Sequence, residues 1–207
     1  MSNGKVVVVG AGNAGLCAAL SAREQGASVV VLECAPEEER GGNSRFTAGA
    51  IRIAYEGLDD LKELMPDLSA QEIETTDFGS YTEAEFFDDM ARVSEYRSDP
   101  ELADLLVARS METILWMREK GVRFVPMYGR QAFKVGDRFK FWGGLIIETI
   151  GGGKGLSDKQ FELAEREGIT ILYETRGTTL LVDKKGRITG LTVRGPDGFR
   201  ALTASSV

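Results

Sequence analysis

The chain has 207 residues, of which 43% are hydrophobic and 28% are charged, as is typical of a folded domain rather than a disordered segment. Its formal net charge of −7 disfavours nucleic acid as a partner. There is no histidine, so a Ser/His/Asp triad and the usual zinc ligand are both excluded. The two cysteines, Cys17 and Cys34, do not have the spacing of a metal site or of a disulfide framework, and we expect no bound metal.

The first third of the chain opens with a pattern that predicts a βαβ unit. Lys5–Val9 contains a continuous β-branched run of four valines, as expected of a strand buried in a parallel sheet. Apolar residues at helical spacing over residues 14–25 predict a helix. Ser28–Leu32 predicts a second buried strand, with Glu33 at its carboxyl end.

Residues 58–150 are predicted to form an inserted subdomain of helices and short strands. Two helices are expected between residues 58 and 97, the second opened by Thr82 and Glu85 at the spacing of a capping box. A longer helix is expected over residues 99–120. Its apolar inner stripe is predicted to include Leu102, Leu105 and Leu106. Strand-forming and aromatic residues in 122–150 predict short antiparallel strands.

The last part of the chain predicts a helix followed by strands. A glycine cluster at residues 151–155 leads into a helix over residues 156–167, and four strand-like segments follow. Turn residues at 183–186 and 195–198 join the last three segments into a meander. The predicted fold class is therefore α/β: a Rossmann-like βαβ core with a parallel sheet, an antiparallel β-meander and an inserted helical segment.

One loop carries a recognisable chemistry, that of dinucleotide binding. It consists of Gly10, Ala11, Gly12, Asn13, Ala14 and Gly15. In this pattern Gly10 permits the sharp turn, Gly12 lets a pyrophosphate approach the backbone, and Gly15 lets the helix pack closely on the strand. The phosphates then meet the positive end of the helix. An ordinary tight turn between strand and helix is the alternative interpretation.

Two further segments bear on which dinucleotide binds. Glu33 can accept hydrogen bonds from ribose hydroxyls but repels a 2′-phosphate, so NADP is disfavoured while FAD and NAD both stay open. A second glycine-rich loop at residues 40–45 fits under an extended dinucleotide, and it fits a solvent-exposed turn equally well. Arg45, Arg52, Arg130 and Lys154 are candidate contacts for carboxylates.

At these residues the chain resembles the flavoprotein family of fumarate reductases, succinate dehydrogenases and 3-ketosteroid Δ1-dehydrogenases, and most closely its tricarballylate dehydrogenases. The segments that carry the resemblance are residues 33–45, 47–50, 151–156 and 173–183. The resemblance implies an FAD-dependent oxidoreductase. Its reaction would be hydride transfer between flavin N5 and a carbon–carbon bond of a small polycarboxylate, with an electron acceptor that stays unknown.

The resemblance also implies a set of cofactor contacts beyond the first loop and Glu33. These are Cys34, Arg40, Gly41, Gly42, Asn43, Ser44, Ala48, Gly49 and Gly177. Since no histidine is present, FAD is expected to bind non-covalently. The catalytic residues are unknown, because the family is longer and residues 1–207 are expected to be an incomplete FAD-binding domain.

The remaining expectations concern the cellular location of the protein and the alternatives to an oxidoreductase function. The chain opens without the features of a signal peptide, and its apolar runs are shorter than the roughly 20 residues of a membrane span. These features predict a cytoplasmic protein without a membrane span. A non-catalytic, truncated dinucleotide-binding module and an NAD-binding dehydrogenase domain are the alternatives to the oxidoreductase.

Overall fold

The computed structural model describes residues 4–207, which divide into two compact units. The first unit comprises residues 4–47 and 153–207, and the second comprises residues 48–152. The predicted insertion, residues 58–150, lies within the second unit. That these residues form a subdomain of one FAD-binding domain stays a prediction.

The first unit is built from a parallel sheet, an antiparallel sheet and two long helices. Its strands are β1 (Lys5–Val9), β2 (Ser28–Leu32), β9 (Thr170–Leu172), β10 (Arg176–Val182), β11 (Ile188–Gly195) and β12 (Gly198–Thr203). Its helices are α1 (Asn13–Glu24) and α8 (Gly152–Arg166), with short 3-10 turns at Glu37–Glu39 and Gly42–Phe46.

The strand order explains the hydrophobic pattern of the first unit. β2 lies between β1 and β9, and both pairings are parallel. β10, β11 and β12 form an antiparallel meander, as predicted. Val7 and Leu32 from the parallel sheet share a buried cluster with Leu191 and Val193 from the meander. The shared core explains the burial of Val7 and of most of β2. The prediction of a buried strand is wrong at Val9, which is exposed at the end of β1.

The second unit contains short helices and two small sheets. Its helices are α2 (Leu58–Leu64), α3 (Ala70–Thr75), α4 (Glu83–Val93), α5 (Pro100–Ala108), α6 (Ser110–Glu119) and α7 (Tyr128–Gln131). Its strands are β3 (Ala50–Arg52), β4 (Thr76–Asp77), β5 (Phe124–Pro126), β6 (Ala132–Val135), β7 (Arg138–Phe141) and β8 (Ile146–Thr149). The sheets run in the orders β3-β8-β5 and β4-β7-β6.

Several predictions for this unit are confirmed and others are wrong. The capping box at Thr82 and Glu85 is present at the start of α4, and strands β5 to β8 include the predicted antiparallel pairs. Three helices rather than two lie between residues 58 and 97, because a capping box at Ser69 and Glu72 starts α3 separately. The helix predicted to begin at residue 156 begins at Gly152, so the glycine cluster is largely helical.

The long helix predicted over residues 99–120 is divided at Arg109, whose φ of −102° and ψ of 6° leave helical geometry. Ser110 holds the junction, since its hydroxyl donates to the Val107 carbonyl (2.8 Å) and accepts the Ala54 N–H (3.0 Å). The predicted inner stripe is wrong at three positions, because Leu102, Leu105 and Leu106 are exposed.

No helix within residues 4–207 combines the length and apolar character that a membrane span requires.

A buried tyrosine hydroxyl provides a test of packing in the second unit. Tyr55 is 3% exposed, and its hydroxyl donates to the Phe78 carbonyl (2.7 Å) and accepts the Leu145 N–H (2.8 Å). We expect Tyr55→Phe to lower the free energy of unfolding by about 1–3 kcal/mol, because two buried backbone groups lose their partner. Tyr96→Phe is the matched control, because Tyr96 is exposed. Urea unfolding measures both variants, and equal stabilities would contradict this role of Tyr55.

Candidate functional site

The turn between β1 and α1 requires two of its three glycines for reasons internal to the protein. Gly10 has a φ of +102°, a conformation that side chains disfavour. A Cβ on Gly15 would lie 2.0 Å from the Gly10 carbonyl oxygen, so only glycine lets α1 approach β1 this closely. These are the roles that the motif predicts for the first and third glycines.

The second glycine has no such internal explanation. Gly12 has a φ of −76° and a ψ of 179°, which any residue adopts. A Cβ there would meet Ser44 Oγ at 3.5 Å and the Gly41 carbonyl oxygen at 3.8 Å, both ordinary contacts. The folded chain therefore has room for a side chain at Gly12. The absence of one fits a site where a ligand phosphate approaches the backbone.

The amino end of α1 also fits an anion. Gly12 is the N-cap and has no side chain to accept the N–H groups of the first turn, which contains no acidic residue. The Asn13 N–H donates to Ser44 Oγ (3.0 Å), and the first intrahelical bond runs from the Leu16 N–H to the Gly12 carbonyl. The remaining N–H groups and the helix dipole together favour a phosphate at this end.

Glu33 is a buried carboxylate held by backbone donors. It is 5% exposed, and its Oε2 and Oε1 accept the N–H groups of Ala11 (3.2 Å) and Ala35 (2.9 Å). No lysine or arginine among residues 4–207 forms an ion pair with it. Each carboxylate oxygen has a second lone pair, so Glu33 retains the capacity to accept ribose hydroxyls.

The second glycine loop contacts the first one in the structure. Gly41 has a φ of +104°, and a Cβ on it would lie 2.3 Å from Ser157 Oγ on α8. A Cβ on Gly153 would lie 2.1 Å from the Ser44 carbonyl oxygen. The loop is therefore packed against the start of α8, and Ser44 connects it to α1. Gly42 and Asn43 are exposed beside this contact.

Arg40 lies in a network of aromatic and acidic side chains. Its Nη1 donates to the Tyr173 hydroxyl (2.7 Å) and to Glu165 Oε1 (3.1 Å), and its Cζ lies 4.2 Å from the centroid of the Phe161 ring. These contacts fasten the loop to α8 and to the end of β9. Contact of Arg40 with the cofactor stays a prediction.

A buried polar cluster connects α8 to α1, and sequence reasoning missed its central residue. Gln160 is 2% exposed, and its Nε2 donates to Asn13 Oδ1 (2.7 Å) and to Cys17 Sγ (3.2 Å). Burial raises the pKa of the Cys17 thiol to about 11. No motif or spacing links Gln160 to the first loop, because 147 residues separate it from Asn13.

The remaining residues predicted to contact the cofactor lie in several different elements of the structure. Cys34 is exposed after β2. Gly177 lies in β10, where a Cβ would meet Leu191 Cδ1 at 3.1 Å and Val9 Cγ1 at 3.2 Å, so the space is tight. Ala48 and Gly49 belong to the second unit, where a Cβ on Gly49 would lie 2.0 Å from Thr149 Oγ1. Their contact with a cofactor stays a prediction.

Three of the four candidate carboxylate contacts already have partners. Arg45 Nη1 lies 3.0 Å from Asp158 Oδ1, and Lys154 pairs with the other oxygen of the same carboxylate. Lys154 more than Arg45 holds the pKa of Asp158 below its ordinary value. Arg52 donates to the Gly143 carbonyl and lies 4.5 Å from the centroid of the Tyr81 ring.

The two thiols are expected to differ in reactivity. At pH about 8 the raised pKa leaves roughly a thousandth of Cys17 as thiolate, the nucleophilic form. We therefore expect a disulfide reagent such as DTNB to label one thiol per folded chain rapidly, and Cys34→Ser to abolish that fast phase. Cys17→Ser is the control that retains it. Fast labelling that survives in Cys34→Ser would contradict the assignment.

Comparison with known proteins identifies the family. Residues 5–206 match the family described as FAD binding domain. The chain is 29% identical over 196 residues to a fumarate reductase (cytochrome) of Shewanella frigidimarina, an alignment that covers 92% of this chain and 29% of that protein. It is 28% identical over 239 residues to an NADH:acrylate oxidoreductase of Vibrio harveyi, with 95% and 23% covered. The chain thus spans less than a third of the length of these relatives.

A solved structure shows the same fold. The 3-ketosteroid-Δ4-(5α)-dehydrogenase of Rhodococcus jostii RHA1 superposes with a TM-score of 0.74 at 22% identity, covering 99% of this chain and 45% of that one. The predicted Rossmann-like α/β fold is therefore confirmed. The family match also decides between the two dinucleotides that the sequence left open. The chain belongs to the FAD binding domain family, and FAD is its cofactor.

Proposed function

We propose that the Gly10 to Gly15 loop binds the FAD pyrophosphate, that Glu33 binds the adenosine ribose, and that the intact protein is an oxidoreductase for small carboxylates. The observation that carries the cofactor assignment is Gly12, the one glycine of the loop that the folded chain does not itself require. A phosphate approaching the backbone supplies the missing reason.

Each part of the site has a separate task in this proposal. The amino end of α1 offers N–H donors and positive potential to the phosphates. Glu33 offers only acceptors, which suit ribose hydroxyls. Arg40 and α8 hold the second glycine loop, including Ser44, against this end of α1. Because no histidine is present, the chain holds the flavin without a histidyl bond.

The proposed chemistry is hydride transfer to or from one carbon of a carbon–carbon bond, together with a proton added to or removed from the neighbouring carbon. Bound FAD would supply this transfer at its N5 atom, while the protein supplies orientation and electrostatics. The names of two relatives support a small carboxylate as substrate, since fumarate and acrylate both carry a double bond conjugated to a carboxylate. Tricarballylate is our specific proposal, because its dehydrogenation creates the same conjugated group.

We propose that substrate-binding groups lie in sequence beyond these 207 residues. The alignments cover less than a third of each relative, so most of a comparable enzyme has no counterpart here. The chain alone is then expected to bind FAD without turning over substrate. A cytoplasmic location is also part of the proposal.

Alanine substitutions at two glycines separate ligand binding from folding. We expect Gly12→Ala to keep the thermal midpoint of the FAD-free chain and to weaken FAD binding at least about tenfold, because the new methyl group blocks the phosphates. Gly15→Ala is the matched control. We expect it to destabilise the FAD-free chain by about 1–3 kcal/mol or more, since its Cβ overlaps the Gly10 carbonyl.

Thermal melts and titration by flavin fluorescence measure the two effects. Unchanged FAD affinity in Gly12→Ala would refute the proposed position of the pyrophosphate.

The substrate class is tested on the full-length, FAD-loaded protein under anaerobic conditions. We expect fumarate or acrylate to reoxidise the chemically reduced flavin, and tricarballylate to bleach the oxidised flavin, because each reaction exchanges a hydride with a carbon adjacent to a carboxylate-bearing carbon. Succinate is the control for reoxidation, since it has no double bond to accept hydride. Visible flavin absorbance follows the reaction. Reoxidation by an unsaturated steroid ketone but by no carboxylate would refute the proposed substrate class.

A further inference from the structure

Gln160 acts towards α1 as a hydrogen-bond donor only. It is 2% exposed, and its Nε2 donates to Asn13 Oδ1 at 2.7 Å and to Cys17 Sγ at 3.2 Å. Its own carbonyl oxygen, Oε1, is buried and accepts no hydrogen bond within residues 4–207. An unsatisfied buried oxygen is costly, so this orientation of the amide requires a compensating benefit.

The contact with Gln160 determines which end of the Asn13 side-chain amide stays free. Asn13 is the first residue of α1. Its side-chain amide has one acceptor, Oδ1, and one donor group, Nδ2. Oδ1 accepts from Gln160 Nε2 and, over a longer distance of 3.7 Å, from the Cys17 thiol, which leaves the Nδ2 end over. Within residues 4–207 Nδ2 donates to no acceptor. The backbone N–H of Asn13 is already engaged by Ser44 Oγ. Nδ2 is therefore the free donor that Asn13 contributes at the amino end of α1.

We propose that Gln160 is a positioning residue for FAD: it fixes the Asn13 amide so that its donor end, rather than its acceptor end, faces the dinucleotide. Phosphate and ribityl oxygens near the helix end gain from an N–H donor, whereas Oδ1 would repel a phosphate. Gln160 contacts no cofactor itself, and its effect passes through Asn13. This inference rests on the proposed place of the pyrophosphate at the amino end of α1.

A glutamate at position 160 reverses the arrangement in a pH-dependent way. Ionised, its carboxylate only accepts, so it attracts Asn13 Nδ2 and turns Oδ1 towards the ligand. Protonated, its O–H donates to Oδ1 and restores the original orientation. Burial raises the pKa of such a carboxyl group, so the protonated form prevails at low pH and the ionised form appears as pH rises.

The test is FAD affinity of Gln160→Glu relative to the unchanged chain, measured by flavin fluorescence in steps from pH about 5 to about 9. We expect the ratio of dissociation constants to be near one at low pH and to rise at least about tenfold as the introduced carboxyl group ionises. Gln71→Glu is the matched control, because Gln71 is an exposed residue of α3 and the substitution adds the same charge. A ratio that stays constant over the pH range would overturn the proposal.

Two further variants keep the proposal falsifiable if Gln160→Glu folds poorly. Gln160→Met removes the donor without adding charge, and we expect weaker FAD binding with a thermal midpoint of the FAD-free chain close to that of the unchanged protein. Asn13→Asp retains the acceptor for Gln160 but replaces the free donor with a charged oxygen. We expect it to weaken FAD binding by about a hundredfold, with a smaller effect on stability. FAD affinity that is unchanged in Gln160→Met would overturn the role of Gln160.

The experiments also separate this inference from the proposed function. If Gly12→Ala binds FAD normally, the position of the pyrophosphate is wrong and the inference falls with it. If Gly12→Ala binds FAD more weakly while the Gln160 variants bind it normally, the proposed pyrophosphate site is supported and only the positioning role of Gln160 is refuted.

Discussion

The close approach of α1 to the end of β1 determines the geometry of the candidate cofactor site. A Cβ on Gly15 would lie 2.0 Å from the Gly10 carbonyl oxygen, so any other residue would push the helix away from the strand. The contacts at the amino end of α1 depend on this position: the Asn13 N–H reaches Ser44 Oγ, and Asn13 Oδ1 reaches Gln160. A displacement of about an ångström would lengthen these hydrogen bonds beyond useful geometry.

The site separates donors from acceptors in a way that matches a dinucleotide. The end of α1 presents N–H groups, which favour the anionic phosphates. Glu33, at the end of the neighbouring strand, presents only lone pairs, and no cation within residues 4–207 neutralises it. A buried carboxylate without a cation is costly, and two backbone N–H bonds are its only partners within residues 4–207. In the proposed complex the ribose hydroxyls would add to these bonds. The folded chain thus satisfies Glu33 only in part.

The sequence is sufficient to predict those features that depend on near neighbours. The βαβ unit, the glycine loop and the capping box at Thr82 are local patterns, and the structure contains each of them. The division of the predicted long helix at Arg109 depends on a hydrogen bond between Ser110 and Ala54, 56 residues away. Local periodicity carries no information about that contact. For the same reason Leu102, Leu105 and Leu106 resembled a buried face although they are exposed.

The residues of the candidate site also fall into those that a local motif reveals and those that only tertiary contacts reveal. Gly10, Gly12, Gly15 and Glu33 are recognisable because the motif fixes their spacing. The sequence pattern does not reveal Gln160, because its contact with Asn13 exists only where α8 packs beside α1. Family resemblance suggested Arg40 as a cofactor contact, but its contacts with Tyr173 and Phe161 depend on how the chain folds back.

Proteins that are similar to this chain act on different substrates. The names of the similar proteins include a fumarate reductase, an acrylate oxidoreductase and a ketosteroid dehydrogenase, whose substrates differ in size and polarity. A fold that serves such different substrates does not itself specify one, and substrate choice must come from side chains that differ between the proteins. In our proposals the glycines, Glu33 and the Gln160 contact of the first unit all serve to bind one dinucleotide. These residues are consequently informative about FAD binding. Evidence about the substrate has to come from measuring the turnover of candidate substrates.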